Sequence, residues 1–577
     1  MTRRPRAGRR SSARATAPAG RPRGAGVVVA GRVALLAVVV VLALTSAVRW
    51  RLSDMPLERD EGEYAYAGQL ILQGVPPYQQ AYNMKFPGTY YAYAGAMALF
   101  GETPRGIRLG LILVHAGTAL LLFALGRRLL GDLGGAVAAV SFTLLALDRW
   151  NLGIFAHATH FVLLPAVAGL YLLSRAPDAR RAAWLAAGGA LLGVALLMKQ
   201  HAAAFLLLGA ILLTWDAGAR RRGWRAGFAE LAALGAGAVA PAALLVAVLL
   251  AQGVFDRFWF WTVTYARHYV SEVAAGAFLP NLRSGFSRAA QATWPLWLAG
   301  GVGLVTLWVG RWPGRVRLWL TGLAAASFLA VCPGFYFREH YFILLLPAVA
   351  LLAAAACLSV ARLLASRLPA AAAAGAAAAL FLALAGAVAL GQGEFFLTMS
   401  PRTVLRTCYG ACPFPEAVEV GRYLREHAGA ADRIAVLGSE PEIYFYARRR
   451  SATGYIYTYA LMEPQPYAAR MQGEMMAEIE AAHPRYLVFV QETSSWNLTP
   501  GSDRTILDWA WRYVSARYRL VGVAEILADE SRYVWGERAR DHRPVSPFVL
   551  LVYERREDAP GVVSGLPADT PPRPRER

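Results

Sequence analysis

The chain has 577 residues, of which 56% are hydrophobic, and it carries 59 Lys and Arg against 38 Asp and Glu, a formal net charge of +21. So large an apolar fraction is not typical of a soluble enzyme of this length. A high positive charge can indicate nucleic-acid binding. Here, however, the arginines lie mostly in short gaps between apolar runs, which is typical of a membrane protein, and we predict no nucleic-acid partner.

The N-terminal residues 1–26 contain eight Arg and no acidic residue. Because proline, glycine, serine and arginine do not build a core, this segment is predicted to be a disordered basic tail. The apolar run "VALLAVVVVLALTSAV" follows at residues 33–48. It is either a cleaved signal peptide or an uncleaved first span. We favour the span, and both interpretations place residue 50 onward outside the cytoplasm.

A long loop at residues 49–104 separates this run from further apolar runs of spanning length. These runs lie near 105–126, 133–147, 155–174, 184–198, 202–215, 228–252, 290–309, 317–333, 341–361 and 369–391. The predicted fold is therefore a polytopic α-helical membrane protein with about eleven transmembrane helices within residues 27–392.

The distribution of arginine predicts the orientation in the membrane. Alternate gaps are rich in arginine, namely 126–132, 175–181, 216–227, 310–317 and 361–367. By the positive-inside rule these gaps and the N-terminal tail are cytoplasmic. The first loop, the other gaps and everything after residue 392 are then external, on a multi-pass protein of the cell membrane.

Beyond the last apolar run the composition becomes mixed, and residues 400–556 predict a small external α/β domain. The stretches 433–438, 485–490 and 548–556 are predicted strands, with amphipathic helices before and between the first two. Neither of those two strands is followed by a GxGxxG or P-loop motif, so no nucleotide site is assigned. Residues 557–577, rich in proline and charge, are predicted to be a flexible tail.

Two of the four cysteines, Cys408 and Cys412, follow the last predicted span. Disulfides persist outside the cytoplasm, and two cysteines are too few for a metal site. A redox motif more usually has the spacing Cys-x-x-Cys. We therefore predict a small structural disulfide at the entry of the external domain.

The predicted topology brings many ionisable residues to the external membrane surface. They are Asp60, Glu61, Glu63, Lys85, Lys199, His201, Arg338, Glu339 and His340. Each has an ordinary structural explanation: an acidic pair favours a helix N-terminus, a lysine can snorkel, and the "REH" stretch can pair with itself. Gathered on one face, they suit an enzyme that handles a lipid-linked phosphate, with cations binding the anion and an acid moving a proton.

The first-loop stretches "RDEGEYAYAG" and "MKFPGTYYAYAGAMALFGETPRGIRL" resemble the polytopic lipid-dependent glycosyltransferases with the GT-C fold. The resemblance is to the dolichyl-phosphate-mannose protein mannosyltransferase superfamily, which includes the bacterial lipid A aminoarabinose transferases. The stretches "GVALLMKQHAAAFLLLG" at 193–209 and "GFYFREHYFILLLPAVALLA" at 334–353 are similar to later segments of that family. The resemblance covers roughly residues 30–390.

This resemblance implies an inverting glycosyltransferase in contact with membrane lipids. It would move a sugar from a polyprenyl-phosphate donor to a lipid, glycan or protein acceptor outside the cytoplasm. Asp60 would be the general base that deprotonates an acceptor hydroxyl, and Glu61 would assist it, position the acceptor or hold a metal.

The same resemblance implies the substrate-binding residues. The donor phosphate would be held by Lys85, Lys199, Arg338 and His340, with Glu339 in the same cluster. Tyr64 and Tyr91 either line a sugar cleft or belong to an interfacial aromatic belt, which is the commoner use of membrane tyrosines.

One element departs from the family pattern. Where a second acid is expected, the stretch "GIFAHATHF" has His157 and His160, and Asp148 lies earlier in the chain. The two histidines are spaced to share a helix face, but two are too few to assign zinc. We therefore assign no metal ligand and no cofactor, and leave a divalent metal open.

Two other classes of protein remain as alternatives. A transporter also has many spans and intramembrane charges, but it more often shows internal repeats and charges at the midplane. An accessory protein of cell-envelope glycan assembly would explain the domain at 400–556 but not the acidic pair of the first loop.

Overall fold

A computed structural model of the protein describes residues 25–527 and 530–556. The predicted tails lie outside these residues, except that Ala25 and Gly26 already belong to the first helix, Ala25–Arg51.

Among the described residues, eight helices are long and apolar enough to cross a membrane, or up to nine if one bent pair counts as a span. They are Gly31–Arg51, Pro104–Leu145, Ala158–Arg175, Asp178–Met198, Gln200–Ala219, Trp224–Ala251, Glu339–Leu364 and Ala370–Gly391, and the bent pair is Ala275–Ala290 with Trp294–Val309. The predicted polytopic helical fold is confirmed.

Two features explain why this number is below the predicted one. The helix Pro104–Leu145 breaks at Gly131, where φ is +87°. A Cβ on Gly126 would lie only 3.0 Å from the Cα of Gly135, so the two halves fold back on each other and form two of the predicted runs. The helix Gly314–Val331 forms a further predicted run, but it begins with arginines and is not among the eight.

Close helix packing positions the loops at the ends of the bundle. In the helices Asp178–Met198 and Trp224–Ala251, a Cβ on Gly237 would be 2.0 Å from the carbonyl oxygen of Ala186. Small residues permit such an approach, which is typical of helix pairs in membranes. This tight pair carries Lys199 just beyond its end.

Shorter helices occupy the loops. They are Arg59–Leu72, Gly88–Phe100, Phe255–Trp259, the π-helix Phe260–Tyr265, Ala266–Ser271, Gly393–Leu397 and Pro401–Tyr409. The helix Arg59–Leu72 begins with a capping box: the Glu58 carboxylate accepts from the backbone N–H of Asp60 and Glu61, and the Glu61 carboxylate accepts from Glu58 N–H. This cap fixes Asp60 in the first helical turn.

The C-terminal segment forms an α/β domain with a six-stranded sheet. Its strands are β1 (Arg433–Leu437), β2 (Arg450–Ser451), β3 (Tyr486–Gln491), β4 (Tyr518–Glu525), β5 (Arg532–Trp535) and β6 (Val549–Arg555), in the order β2-β1-β3-β6-β4-β5. β1 is parallel to β2 and β3, whereas β6 is antiparallel to β3 and β4, and β5 is antiparallel to β4. The three predicted strands are β1, β3 and β6.

The helices of this domain are Phe414–His427, Glu442–Ala447, Tyr459–Met462, Ala468–Ala482, Thr493–Trp496, Thr505–Arg517 and Arg538–Asp541. The domain docks on the first loop. Arg59 Nε donates to Ser439 O at 2.7 Å, its Nη2 lies 2.9 Å from Glu440 Oε1, and Tyr82 N donates to Gly454 O at 2.7 Å. The first loop is therefore enclosed between the bundle and the domain.

The predicted disulfide is wrong, because Cys408 and Cys412 are both free. The helix that carries Cys408 ends at Tyr409, and the chain turns away at the next residue, Gly410, where φ is +62°. As a result, Cys408 Sγ lies 3.5 Å from Arg149 O, whereas Cys412 Sγ lies 3.4 Å from Ser494 Oγ in the domain.

Candidate active site

The centre of the candidate site is a lysine between two carboxylates. Lys85 Nζ lies 2.8 Å from Asp60 Oδ1 and 2.6 Å from Glu63 Oε2. Tyr90 Oη donates to the other oxygen of Glu63 at 2.7 Å, and the ring of Tyr64 lies 4.6 Å from the ammonium. The two acids lie one turn apart on the helix Arg59–Leu72, so a single cation reaches both.

The "KFPG" turn brings the two lysines of the chain to the same place. Thr89, at the start of the helix after this turn, donates from Oγ1 to Met198 O at 3.0 Å. Met198 immediately precedes Lys199, so the turn that carries Lys85 rests on the end of the helix that carries the other lysine.

A pair of histidines completes the cluster on the other side of Asp60. The rings of His157 and His340 stack with centroids 4.3 Å apart. Ligand atoms of Asp60, His157 and His340 all lie within 4.8 Å of one another. His157 Nδ1 is buried without a hydrogen-bond partner and lies 3.9 Å from Asp60 Oδ2. These three side chains could hold a divalent cation, since imidazole and carboxylate are common ligands of zinc and manganese.

Two cations of the site have no acidic partner. Among the described residues, neither Lys199 nor Arg338 forms an ion pair within 4.0 Å. Lys199 Nζ instead lies 4.3 Å from the ring centroid of Tyr341, and the Arg338 guanidinium lies 5.5 Å from that of Tyr336. Because each cation rests on an aromatic face, its N–H donors remain available to an anion.

The electrostatics of the two acids differ. Burial raises the pKa of the Asp60 carboxyl, but the Lys85 ammonium and the neighbouring histidines outweigh it and hold the pKa well below its usual range. For Glu63, burial prevails over the same ammonium and raises the pKa. Two nearby carboxyls whose environments shift their pKa values in opposite directions are typical of acid–base sites. The lowered pKa keeps Asp60 ionised.

Burial also affects the bases of the cluster. It lowers the pKa of Lys199 to about 7, although Asp60 acts in the opposite direction. Burial likewise lowers the pKa of His157 to about 4, again against Asp60. His157 is therefore neutral near pH 7, the form in which imidazole binds metals.

Other predicted site residues lie elsewhere. Glu61 is buried, pairs with Arg108 at 2.6 Å and accepts from Ala156 N at 2.7 Å, so it ties the first loop to the second. Glu339 pairs with Arg288 at 2.6 Å. Tyr91 is 37% exposed at the surface.

The second loop is arranged differently from its sequence pattern. His160 bonds to Gly153 O at 3.0 Å, so the histidine that joins His157 is His340, from a distant part of the chain. Asp148 accepts from Thr293 Oγ1 at 2.9 Å and is buried beside it.

The C-terminal domain contributes aromatic residues that sequence reasoning missed. Lys85 Nζ lies 5.7 Å from the ring centroid of Tyr457, and Tyr459 Oη accepts from Arg59 Nη1 at 2.7 Å. The only available sign was the repeated tyrosine in "GYIYTYA" at 454–460. The domain thus forms one wall of the site.

Comparisons with known proteins agree with this architecture. The sequence family described as dolichyl-phosphate-mannose-protein mannosyltransferase matches residues 84–246. A comparison with curated proteins finds no significant match.

Solved structures match over most of the chain. ArnT from Cupriavidus metallidurans, bound to undecaprenyl phosphate, has a TM-score of 0.54 and 17% identity, covering 89% of this chain and 97% of its own. The Archaeoglobus fulgidus oligosaccharyltransferase tethered to an acceptor peptide has a TM-score of 0.51 and 13% identity, covering 87% and 74%. AglB from the same organism, with an inhibitory peptide and a dolichol-phosphate, has a TM-score of 0.52 and 13% identity, covering 91% and 76%.

At these identities the likeness is one of fold. The protein therefore has the fold of the GT-C membrane glycosyltransferases, with a small sheet domain at its C-terminus, and the predicted resemblance to this family is confirmed, with the sequence match beginning at Met84.

Proposed function

We propose that the protein is an inverting membrane glycosyltransferase that moves a sugar from a polyprenyl-phosphate donor to an acceptor on the external side of the membrane. The acceptor is a lipid, a glycan or a protein. The proposal includes the orientation: the first loop and the C-terminal domain face outward, and the arginine-rich end of the bundle faces the cytoplasm.

One observation carries this proposal: an ionised carboxylate, Asp60, lies in the same cluster as two cations without carboxylate partners, Lys199 and Arg338. The cluster lies where membrane helices end and beneath a folded domain. A lipid phosphate at the membrane surface can reach the cations, while an acceptor enters under the domain. A site with only carboxylates or only cations would not serve both substrates.

The chemistry follows from these charges. An acceptor hydroxyl oxygen attacks the anomeric carbon, the bond from that carbon to the phosphate oxygen breaks, and the phosphate leaves with the electron pair. Asp60 accepts the hydroxyl proton. Because negative charge develops on the leaving phosphate, fixed cations at Lys199 and Arg338 lower the barrier.

For Lys85 we propose a task other than the donor-phosphate binding predicted from the sequence. Since its ammonium already contacts two carboxylates, we assign it first to Asp60, which it keeps ionised and oriented. A bound donor phosphate adds negative charge nearby and raises the pKa of Asp60, which makes the carboxylate a better base at the moment of reaction.

A divalent metal fits the donor set of Asp60, His157 and His340, since the Nδ1 atom of His157 is buried and without a hydrogen-bond partner. When bound there, a metal would supply positive charge beside the leaving phosphate. Whether transfer needs it can be measured with and without chelator, on wild type and on His157→Gln. If transfer requires a metal, the chelator should abolish transfer by wild type, and the His157→Gln substitution should abolish transfer without chelator.

The decisive experiment supplies radiolabelled polyprenyl-phosphate sugars to membranes that contain the protein. Label that appears in an acceptor, or as free sugar through slow hydrolysis, is the expected result. Label that only enters sealed vesicles unchanged would establish a transporter instead and would overturn the proposal.

A further inference from the structure

A second charged cleft lies at the opposite end of the bundle. The helix Ala158–Arg175 begins beside His157 and ends at Arg175, so about 27 Å separates the two sites along this helix. The polar residues that line the cleft are Arg128, Ser174, Arg181, Asp216, Arg220 and Arg315. Its apolar lining includes Trp215 and Trp319.

Two arginines of this cleft have no acidic partner. Arg128 Nε donates to Ser174 O at 2.7 Å, and Arg315 Nη2 donates to the same oxygen at 3.4 Å. Over residues 25–527 and 530–556, neither forms an ion pair with a carboxylate. A guanidinium has five N–H donors, so most of the donors of both side chains remain available.

Neighbouring arginines at this end of the bundle, by contrast, form ion pairs with carboxylates. Arg181 pairs with Asp216 at 2.8 Å and with Glu230 at 2.7 Å. Arg220 and Arg222 pair with Asp178, Asp216 or Glu230. Every carboxylate of the cleft is therefore already shared between arginines, and the positive charge of Arg128 and Arg315 is not compensated within this cluster.

Two like charges on one carbonyl oxygen repel each other, and an anion between them would remove that repulsion. The guanidinium fork matches the oxygens of a phosphate. The cleft lies at the ends of membrane helices and includes Trp215, which is 38% exposed, and indole rings favour this depth of a bilayer. Because an anion at this position would lie next to apolar side chains, a lipid with an anionic group is the ligand that suits the cleft best.

We propose that this cleft binds the phosphate group of an acidic phospholipid, held by Arg128 and Arg315. Arg175, which follows Ser174 at the end of its helix, adds positive charge close to Arg128. The proposal concerns a structural lipid and is independent of the transfer reaction at the other end. Basic pockets between membrane helices are known to suit acidic head groups.

Native mass spectrometry of the purified full chain, with added phosphatidylglycerol or phosphatidylcholine, tests this assignment. Wild type should retain phosphatidylglycerol in preference to phosphatidylcholine. The Arg128→Gln/Arg315→Gln variant should bind it about thirtyfold more weakly. The matched control is Arg225→Gln/Arg367→Gln, which removes two exposed arginines from the same end of the bundle but outside the cleft.

An Arg128→Lys/Arg315→Lys variant keeps both charges but loses the guanidinium forks. It should bind phosphatidylglycerol more weakly than wild type and more tightly than the glutamine variant, which separates loss of the site from loss of the fold. Equal retention of the two lipids by wild type would overturn the proposal. So would an equal loss of binding in the glutamine variant and its control. Displacement of the lipid by inorganic phosphate at equal concentration would assign the cleft to a soluble anion and overturn the lipid identity.

Discussion

The two ends of the helix bundle each hold both paired and unpaired charges. At the candidate active site, Lys85 is neutralised by Asp60 and Glu63, whereas Lys199 and Arg338 are not neutralised. The side chain of Asp60, one of the two carboxylates paired with Lys85, is 19% exposed, so a substrate can reach it.

At the opposite end Glu230 is shared by Arg181 and Arg222, while Arg128 and Arg315 have only a carbonyl oxygen. The carboxylates of this end are occupied by several arginines at once. Asp178, Asp216 and Glu230 each pair with two arginines, whereas Asp60 at the candidate active site pairs with a single lysine. The comparison teaches that unpaired arginines beside fully shared carboxylates indicate anion binding, and that an ionised carboxylate held by one cation beside unpaired cations indicates a reaction.

The largest effect is expected from Asp60→Asn, which keeps the size of the side chain but removes the proton acceptor. Sugar transfer should fall by about 10²- to 10⁴-fold, the usual contribution of a general base. Initial rates with a radiolabelled donor measure it. Asp54→Asn, in the same loop but paired with Arg105 at the exposed surface, is the matched control and should stay near wild type. Near-normal transfer by Asp60→Asn would show that Asp60 is not the general base and that the reaction does not take place at this end of the bundle.

A smaller effect is expected from Lys199→Met, which deletes an unpaired cation of the site. Donor affinity should weaken by about 1–3 kcal/mol, or about 5- to 150-fold, because a charged hydrogen bond to the phosphate is lost. Equilibrium binding of a non-reactive donor analogue measures this change. Arg105→Met removes an exposed cation at the start of the helix Pro104–Leu145, next to the first loop, and serves as the control. If both variants bind the donor like wild type, Lys199 does not hold the phosphate.

The next effect is a pH dependence of donor binding. Burial lowers the pKa of Lys199 to about 7. The charged groups that interact with its amine are Asp60, Lys85, Arg338 and Glu63. A bound anion favours the protonated amine and raises this pKa, so binding takes up a proton above pH 7. Affinity should then fall as pH rises above about 7, by at most about tenfold per pH unit.

The variant Lys199→Arg isolates this effect, since arginine stays charged throughout the range. Its donor affinity should be nearly flat between about pH 7 and pH 9 if Lys199 is the titrating group. A wild-type curve that keeps its slope in this variant would assign the titration to another group.

The smallest effect on transfer is expected at the opposite end. Glu230→Gln leaves Arg181 and Arg222 with a weakened partner and should lower the stability of the fold by about 1–3 kcal/mol. Thermal unfolding in detergent micelles measures this loss. Transfer rate and donor affinity at permissive temperature should not change. A loss of activity without a loss of stability would show that the two ends are coupled, and the comparison would fail.

Much of the fold could be predicted from the sequence. Apolar runs of spanning length and arginine-rich gaps are local properties, so the polytopic bundle and the gathering of charged loops at one end followed directly. The strands β1, β3 and β6 could be predicted because they are short, continuous apolar runs. The strand β2, of two residues, and the strand β5, at the edge of the sheet, have no such pattern.

For the site, the sequence by itself determined the inventory of charges, and the tertiary structure decided their partners. Asp60 and Lys85 were identified from the first loop, but only folding placed the ammonium against Glu63. His157 was expected to share a face with His160, yet its partner is His340, because the second loop turns at the helix start.

The same division holds for the two thiols and for Glu61. Sequence spacing suggested that Cys408 and Cys412 would bond, but a glycine turn between them directs one toward the bundle and the other toward the domain. Glu61 was expected to assist Asp60, position the acceptor or hold a metal. Adjacent helical residues point in different directions, however, and Glu61 pairs with Arg108 within the core. Pairing energies act over a few ångströms between residues far apart in the chain, so only the folded structure decides which charges are left free to act.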